Sequence, residues 1–246
     1  MGCHFNSISH RQIIEAQEYI ENRQYNLAKE VLIKSLSGSI KPKNKIKVLH
    51  QLGVLYAFYL NDTEKALSSF KQIIELNFDR ASTVKATDYL ADLLFSKLRD
   101  FNEAELYYKK LISYDPKLSK HSFYYLRFVK SLFENFKFKK CLTHLQVLKN
   151  DKSTDMNELL FFEGMSYFYL NESQKALKYL KKIDENKLSK AKAIEVRFYL
   201  GNIYETLEDL EKAYQQYFSI RYAYPNPKVI NTRLEKIISR KKAMKR

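Results

Sequence analysis

The chain has 246 residues, 45% of them hydrophobic, enough for a continuous core in one large domain or one elongated array. Five glycines and four prolines are too few for the turns of a β-rich protein of this size, so the composition points to an all-α fold. The net charge of +15 could draw nucleic acid, anionic lipid or an acidic partner, but the basic residues are mostly Lys, spread along the chain and interleaved with Glu, which reads as a solvated surface.

The chain opens MGCHFNSISH, and residues 1–8 read as a flexible leash ahead of the first folded unit. N-myristoylation wants Ser or Thr at residue 6, where Asn6 stands. Bacterial lipoprotein signals end in Gly-Cys, with the Cys lipidated. The apolar leader is missing here, and no apolar run reaches the roughly 18 residues of a membrane span. Cys3 is a lipid-anchor candidate if a leader was removed, which would place the chain at the periplasmic face of a bacterial envelope. Otherwise the start is an ordinary cytoplasmic one. A Cys3–Cys141 disulfide has no positive support, and Cys141 suits a small buried site in a helix.

From residue 9 one frame recurs six times. The unit at about 9–45 carries Ala16, Tyr19, Ala28 and Leu32. The unit at about 46–83 carries LGVLYAFYLNDTEKALSSFKQI from Leu52. That at about 84–121 has Ala91, Leu94, Ala104, Tyr108 and Pro116, and that at about 122–156 has Val129, Leu132, Cys141 and Leu145. The fifth, about 157–193, reads EGMSYFYLNESQKALKYLKKI from Glu163; the sixth, about 194–226, reads LGNIYETLEDLEKAYQQYFSI from Leu200. Small residues stand ahead of a polar break at Ala16, Gly53, Ala91, Val129, Gly164 and Gly201, and after it at Ala28, Ala66, Ala104, Cys141, Ala176 and Ala213.

The spacing of about 35–38 residues and the small-residue pairs resemble the tetratricopeptide repeat, whose period is about 34. Two departures are plain: Trp is absent, and several units carry extra residues, ascribed in part to longer turns such as LNDT at Leu60 and KLRD at Lys97. The resemblance implies a right-handed superhelical solenoid of antiparallel helix pairs. Gly or Ala is expected where the two helices of a pair cross, with Phe70, Tyr108, Leu180 and Tyr217 packing against the next unit. Neighbours must stack, because no unit buries its faces alone.

Residues 227–246 form the close. Ile230, Leu234, Ile237 and Ile238 recur at i, i+4, i+7 and i+8, an amphipathic helix expected to cap the last repeat, with the basic RKKAMKR fraying into solvent. The stretch SIRYAYPNPKVINTRLEKI is similar to the closing part of bacterial envelope tetratricopeptide-repeat lipoproteins of the BamD type.

In the family, chosen positions of each first helix look into a concave groove. Carried over, they offer Lys47, His50, Val54 and Ala57 in the second repeat, and Lys85, Asp88, Asp92 and Phe95 in the third. The fourth to sixth repeats offer Phe123, Leu126, Lys130, Phe133, Phe161, Met165, Phe168, Phe198 and Asn202 as the partner-binding candidates. Such an apolar strip would suit a helical or extended peptide, though a stripe of aromatics at helical spacing is also how a core looks. The Lys/Asn/Arg set that grips a terminal carboxylate in chaperone-binding members is missing.

No metal-ligand, phosphate-loop or nucleophile motif occurs, and the five histidines are scattered, so no metal, cofactor, small-molecule substrate or enzymatic activity is expected. The sequence therefore reads as a non-catalytic protein-interaction scaffold in a multi-protein, envelope-type assembly. The alternative is a basic helical array that binds nucleic acid, which the Lys-dominated charge disfavours.

Overall fold

A computed structural model describes residues 3–38, 40–151 and 153–244, with side chains from Arg11 onward. The anchor candidate Cys3 has its side chain outside the described residues, and residues 3–8 of the stretch expected as a leash have helical backbone. The described residues are helical throughout, with no strand among them. They divide into two compact units, residues 1–124 and 125–246, with the division inside one helix.

The first unit holds α1 (Cys3–Glu21) and α2 (Tyr25–Leu36), α3 (Pro42–Phe58) and α4 (Thr63–Leu76), then α5 (Arg80–Asp92) and α6 (Phe101–Ile112). Each helix packs on the next in sequence. α7 (His121–Glu134) crosses the division. The second unit continues with α8 (Phe138–Leu148), α9 (Met156–Tyr169), α10 (Ser173–Leu180), α11 (Lys190–Thr206), α12 (Leu210–Ile220) and α13 (Pro227–Met244). No described helix is long and apolar enough to cross a membrane.

Local chemistry sets the helix starts. Asp62, Asp79, Asp100, Ser189 and Asp209 each accept a bond from the third backbone N–H of the helix they open, a cap worth about 1 kcal/mol apiece. Pro42 opens α3, where a missing N–H costs nothing.

The turn inside every pair holds one residue in the left-handed region: Arg23, Asn61, Arg99, Phe136, Asn171 and Glu208. At Arg23, Phe136, Asn171 and Glu208 two backbone bonds close the turn, from this residue and from the next, in the pattern of a Schellman cap. In the second and third pairs the closure is wider. Asp62 N–H reaches Tyr56 O, and Asp100 N–H reaches Leu94 O. In the third pair α5 runs directly into a π-helical segment, Leu93–Leu98. The extra length there lies in a widened last helical turn, not in the loop that KLRD suggested.

The small residues of the first helices are notches. A Cβ on Gly53 would stand 2.6 Å from Phe70 Cζ, one on Gly164 2.6 Å from Leu180 Cδ2, and one on Gly201 2.6 Å from Tyr217 Cε1. Phe70, Leu180 and Tyr217 therefore pack on the glycine of their own pair. Phe70 also meets the following pair as expected, stacked on Tyr89 at 5.1 Å. Cys141 is buried and free, and burial pushes its thiol up to about 11, so it acts as a small hydrophobe.

α13 packs on α12 through Ile230, Leu234 and Ile237, which are buried. Ile238 is exposed, a correction to the expected stripe. The basic close is also less free than expected. Arg240 binds Glu205 and Glu208, and Lys241 binds Glu211.

Candidate functional site

In the first unit, α3, α5 and the start of α7 line an open cleft of about 350 Å³. Phe58 and Phe123 flank it and are 59% and 43% exposed. Between them stand Lys85, Asp88, Tyr89, Asp92 and Lys120. Asp88 Oδ2 accepts from Lys120 Nζ at 3.1 Å and from the Tyr124 hydroxyl at 2.9 Å. Burial, with Asp88 adding to it, raises the Tyr124 pKa well above the usual phenol range, so this hydroxyl stays a donor. Asp88 is thus a fixed, half-buried acceptor.

A second cleft of the same unit, about 290 Å³, is floored by Ile13, Ile46 and Ile73, with Lys47, His50 and Lys85 at its sides. His50 is half-buried and lies edge-on to Tyr89 at 5.3 Å and Phe70 at 6.1 Å. Its Nε2 is enclosed without a hydrogen-bond partner. Burial first, then the Lys85 charge, lowers its pKa to about 4, so the ring is neutral at neutral pH.

In the second unit the candidates separate by depth. Phe161 and Met165 are core, 5% and 1% exposed. The Phe161 ring carries Lys192 Nζ 3.5 Å above its centroid. Met165 is enclosed where α9, apolar on all sides, packs on both α8 and α10, whereas the Phe161 ring, though buried, lines an open cleft of about 340 Å³ with Glu158, Ile183, Leu188 and Lys192. Leu126 and Phe133 are half-buried, and Phe133 meets Phe162 edge-on at 5.1 Å and Phe138 at 5.4 Å. Lys130 bonds Glu158 at 2.6 Å. Phe168 is half-buried near Tyr199, and Phe198 stacks on Tyr224 at 4.8 Å. Asn202 Oδ1 accepts from the Tyr217 hydroxyl at 2.6 Å. That hydroxyl also reaches Glu205 at 3.1 Å, and Glu205 takes Arg233 of α13 at 3.0 Å. Asn202 belongs to the network that ties the last helix down.

Sequence reasoning missed Phe58, one residue beyond the assigned groove position Ala57, which is buried. It also missed Glu163, fully buried where two other repeats have Leu52 and Leu200. Among the described residues no group of three or more His, Cys, Asp or Glu side chains is placed to hold a metal.

A family model of the tetratricopeptide repeat matches residues 46–80 and 90–118. Among solved structures, PilW, a widely conserved type IV pilus biogenesis factor, superposes with a TM-score of 0.57 at 17% identity, over 94% of this chain and 98% of its own. The pilF structure of Pseudomonas aeruginosa gives 0.56 at 11% identity, over 96% and 99%. A chain of the Naa15/Naa10 assembly bound to HypK-THB gives 0.63 at 14% identity, over 96% of this chain and 34% of its own. No curated protein matches the sequence. The two matched repeats, the left-handed residue in the turn of each helix pair, and the glycine or alanine at the crossing point of five pairs, with Val129 in the fourth, give the chain the tetratricopeptide-repeat solenoid fold.

Proposed function

We propose that the chain is a non-catalytic protein-interaction scaffold that holds a helical or extended peptide against the first helices of its repeats. The observation that carries this reading is the pair of exposed rings, Phe58 and Phe123, on either side of a cleft with both signs of charge. Exposed aromatics supply the apolar anchor points of peptide recognition, and Asp88, Asp92 and Lys85 give it register. In the second unit the half-buried Leu126, Phe133, Phe168 and Phe198, with Lys130, are the remaining contact candidates; Phe161, Met165 and Asn202 support them from beneath. Work within a multi-protein assembly is favoured by the likeness to a pilus biogenesis factor and to a chain of a bound complex. The envelope setting rests on the Gly-Cys start and on the similarity of the closing segment to envelope lipoproteins.

Cross-linking mass spectrometry of the chain in native extract tests the reading. Phe58→Ala with Phe123→Ala should leave the helical circular-dichroism spectrum intact and abolish the cross-links at Lys85 and Lys120. A folded double variant that keeps every partner would refute the cleft. Salt-sensitive binding of RNA or DNA would favour the nucleic-acid alternative instead.

A further inference from the structure

Each of the six pair-closing turns holds one left-handed residue, and the residue in the fourth is conspicuous. Five of them place a polar or charged residue in the left-handed position: Arg23, Asn61, Arg99, Asn171 and Glu208. The α7–α8 turn places Phe136 there, at φ 57°. A bulky ring is among the least suited side chains for that backbone region. The turn nevertheless holds it, because Phe136 N–H bonds Phe133 O and Lys137 N–H bonds Leu132 O, both at 2.9 Å. The ring is 78% exposed. Inside the chain the ring meets Phe138 edge-on at 6.1 Å and otherwise faces water, and a disfavoured conformation that displays an apolar ring in this way is often kept for a contact made outside the chain.

The residue after the left-handed one also reverses its usual character. Three of the pairs cap their second helix with an aspartate at this place, Asp62, Asp100 and Asp209. Here it is Lys137, with no side-chain capping bond. Residues 133–140 read FENFKFKK, three lysines against one glutamate. Lys139 and Lys140 are exposed, and neither has a carboxylate partner among the described residues. Behind the tip the rings form a firm base. Phe138 stacks on Tyr169 at 4.9 Å and lies edge-on to Phe133 at 5.4 Å. Tyr169 is itself 46% exposed.

One protruding ring at a turn, with a second aromatic beside it and free ammonium groups around, matches what an anionic bilayer surface offers. Apolar rings settle at the headgroup level, and each lysine near the surface adds attraction. We propose that the α7–α8 turn is a membrane contact, in which Phe136 enters the interface of an anionic bilayer while Lys139 and Lys140 meet the lipid headgroups. This surface is separate from the peptide cleft proposed above and does not depend on it.

The chain contains no tryptophan, so Phe136→Trp places a single reporter at the tip. With vesicles of equal parts phosphatidylserine and phosphatidylcholine its emission should shift to the blue. With phosphatidylcholine alone it should stay where it is in buffer. Phe136→Asn suits the backbone, so it keeps the fold, and it should weaken sedimentation with anionic vesicles about tenfold, the cost of withdrawing one aromatic ring from an apolar phase. Lys139→Glu with Lys140→Glu should act in the same direction. Emission unmoved by anionic vesicles overturns the proposal. So does vesicle binding that survives Phe136→Asn unchanged, that disappears on deleting residues 239–246 instead, or that is equal on both vesicle types. A blue shift caused by a soluble partner protein but not by vesicles would assign the turn to protein docking and likewise overturn it.

Discussion

Phe70 closes over Gly53 so tightly that a single added carbon on the glycine would lie 2.6 Å from the ring. The same relation joins Gly201 to Tyr217, whose hydroxyl is held by Asn202 at 2.6 Å and by Glu205 at 3.1 Å. A ring so packed and tethered cannot swing aside. Gly53→Ala and Gly201→Ala should each destabilise the fold by about 2 kcal/mol through overpacking, despite the better helix propensity of Ala. Gly164→Ala meets Leu180 Cδ2 and Cγ at 2.6 and 2.7 Å, with the Ala176 carbonyl oxygen at 3.4 Å, and should cost less because a leucine side chain turns aside more readily than a packed ring. Urea unfolding of the three variants checks the order; equal losses would mean that the notch is not what selects glycine.

The left-handed turn residues make a second test. At Phe136 the backbone region is strained, and Phe136→Asn should stabilise the fold by about 0.5–1 kcal/mol, since Asn enters that region more readily. Asn171 already has the favourable residue, so Asn171→Ala should lose about 1 kcal/mol. Thermal melts of both variants read the opposite signs directly.

Much of this architecture was legible from the six recurring small residues, because a close helix crossing admits few residue types and so leaves a periodic trace. The π-helical segment at Leu93–Leu98 was not legible. It differs from a longer loop only in where backbone bonds close, which side chains do not record. The depth of the binding candidates was not legible for a related reason. Helical spacing fixes the angle of Phe161, Met165 and Phe168 about α9, but α9 is apolar on all sides and spacing cannot tell which faces neighbours cover. Phe161 and Met165 went to the core, while Phe58, displaced by one residue from the expected groove position, stayed in solvent.

His50 gives the fold a pH dependence whose sign can be worked out. Its folded pKa is about 4 against 6.5 for a free imidazole, depressed by burial and then by Lys85. Between those values the unfolded chain binds the proton and the folded chain does not. Stability therefore falls as pH drops from 6.5 toward 4, and the full contribution is present above 6.5. His50→Leu removes the titration and the unpartnered Nε2 together. The variant should match or exceed the parent at pH 7 and lose less of its urea midpoint at pH 5. A parallel loss in both proteins would assign the acid sensitivity to other groups.

The buried Glu163 yields an asymmetric prediction. Its Oε1 accepts from Lys149 Nζ at 2.7 Å and from Gln146 Nε2 at 2.8 Å, while Oε2 is enclosed with no partner. The Glu163 side chain is fully buried, but that of Lys149 is 25% exposed. Removing the lysine leaves a desolvated carboxylate behind, whereas removing the glutamate lets the lysine return to water. Lys149→Met should therefore cost about 3 kcal/mol, in the range for orphaning one partner of a buried pair. Glu163→Leu restores the residue type of Leu52 and Leu200 in the same frame and should be close to neutral or stabilising, as hydrophobic replacement of buried ion pairs often is. Combining the two should recover most of the loss caused by Lys149→Met alone. A double-mutant cycle by urea unfolding measures all three terms. If Glu163→Leu were instead as damaging as Lys149→Met, the carboxylate would be a net source of stability, and its place where four other repeats have Leu52, Leu90, Phe128 and Leu200 would reflect a structural need at the α8–α9 contact.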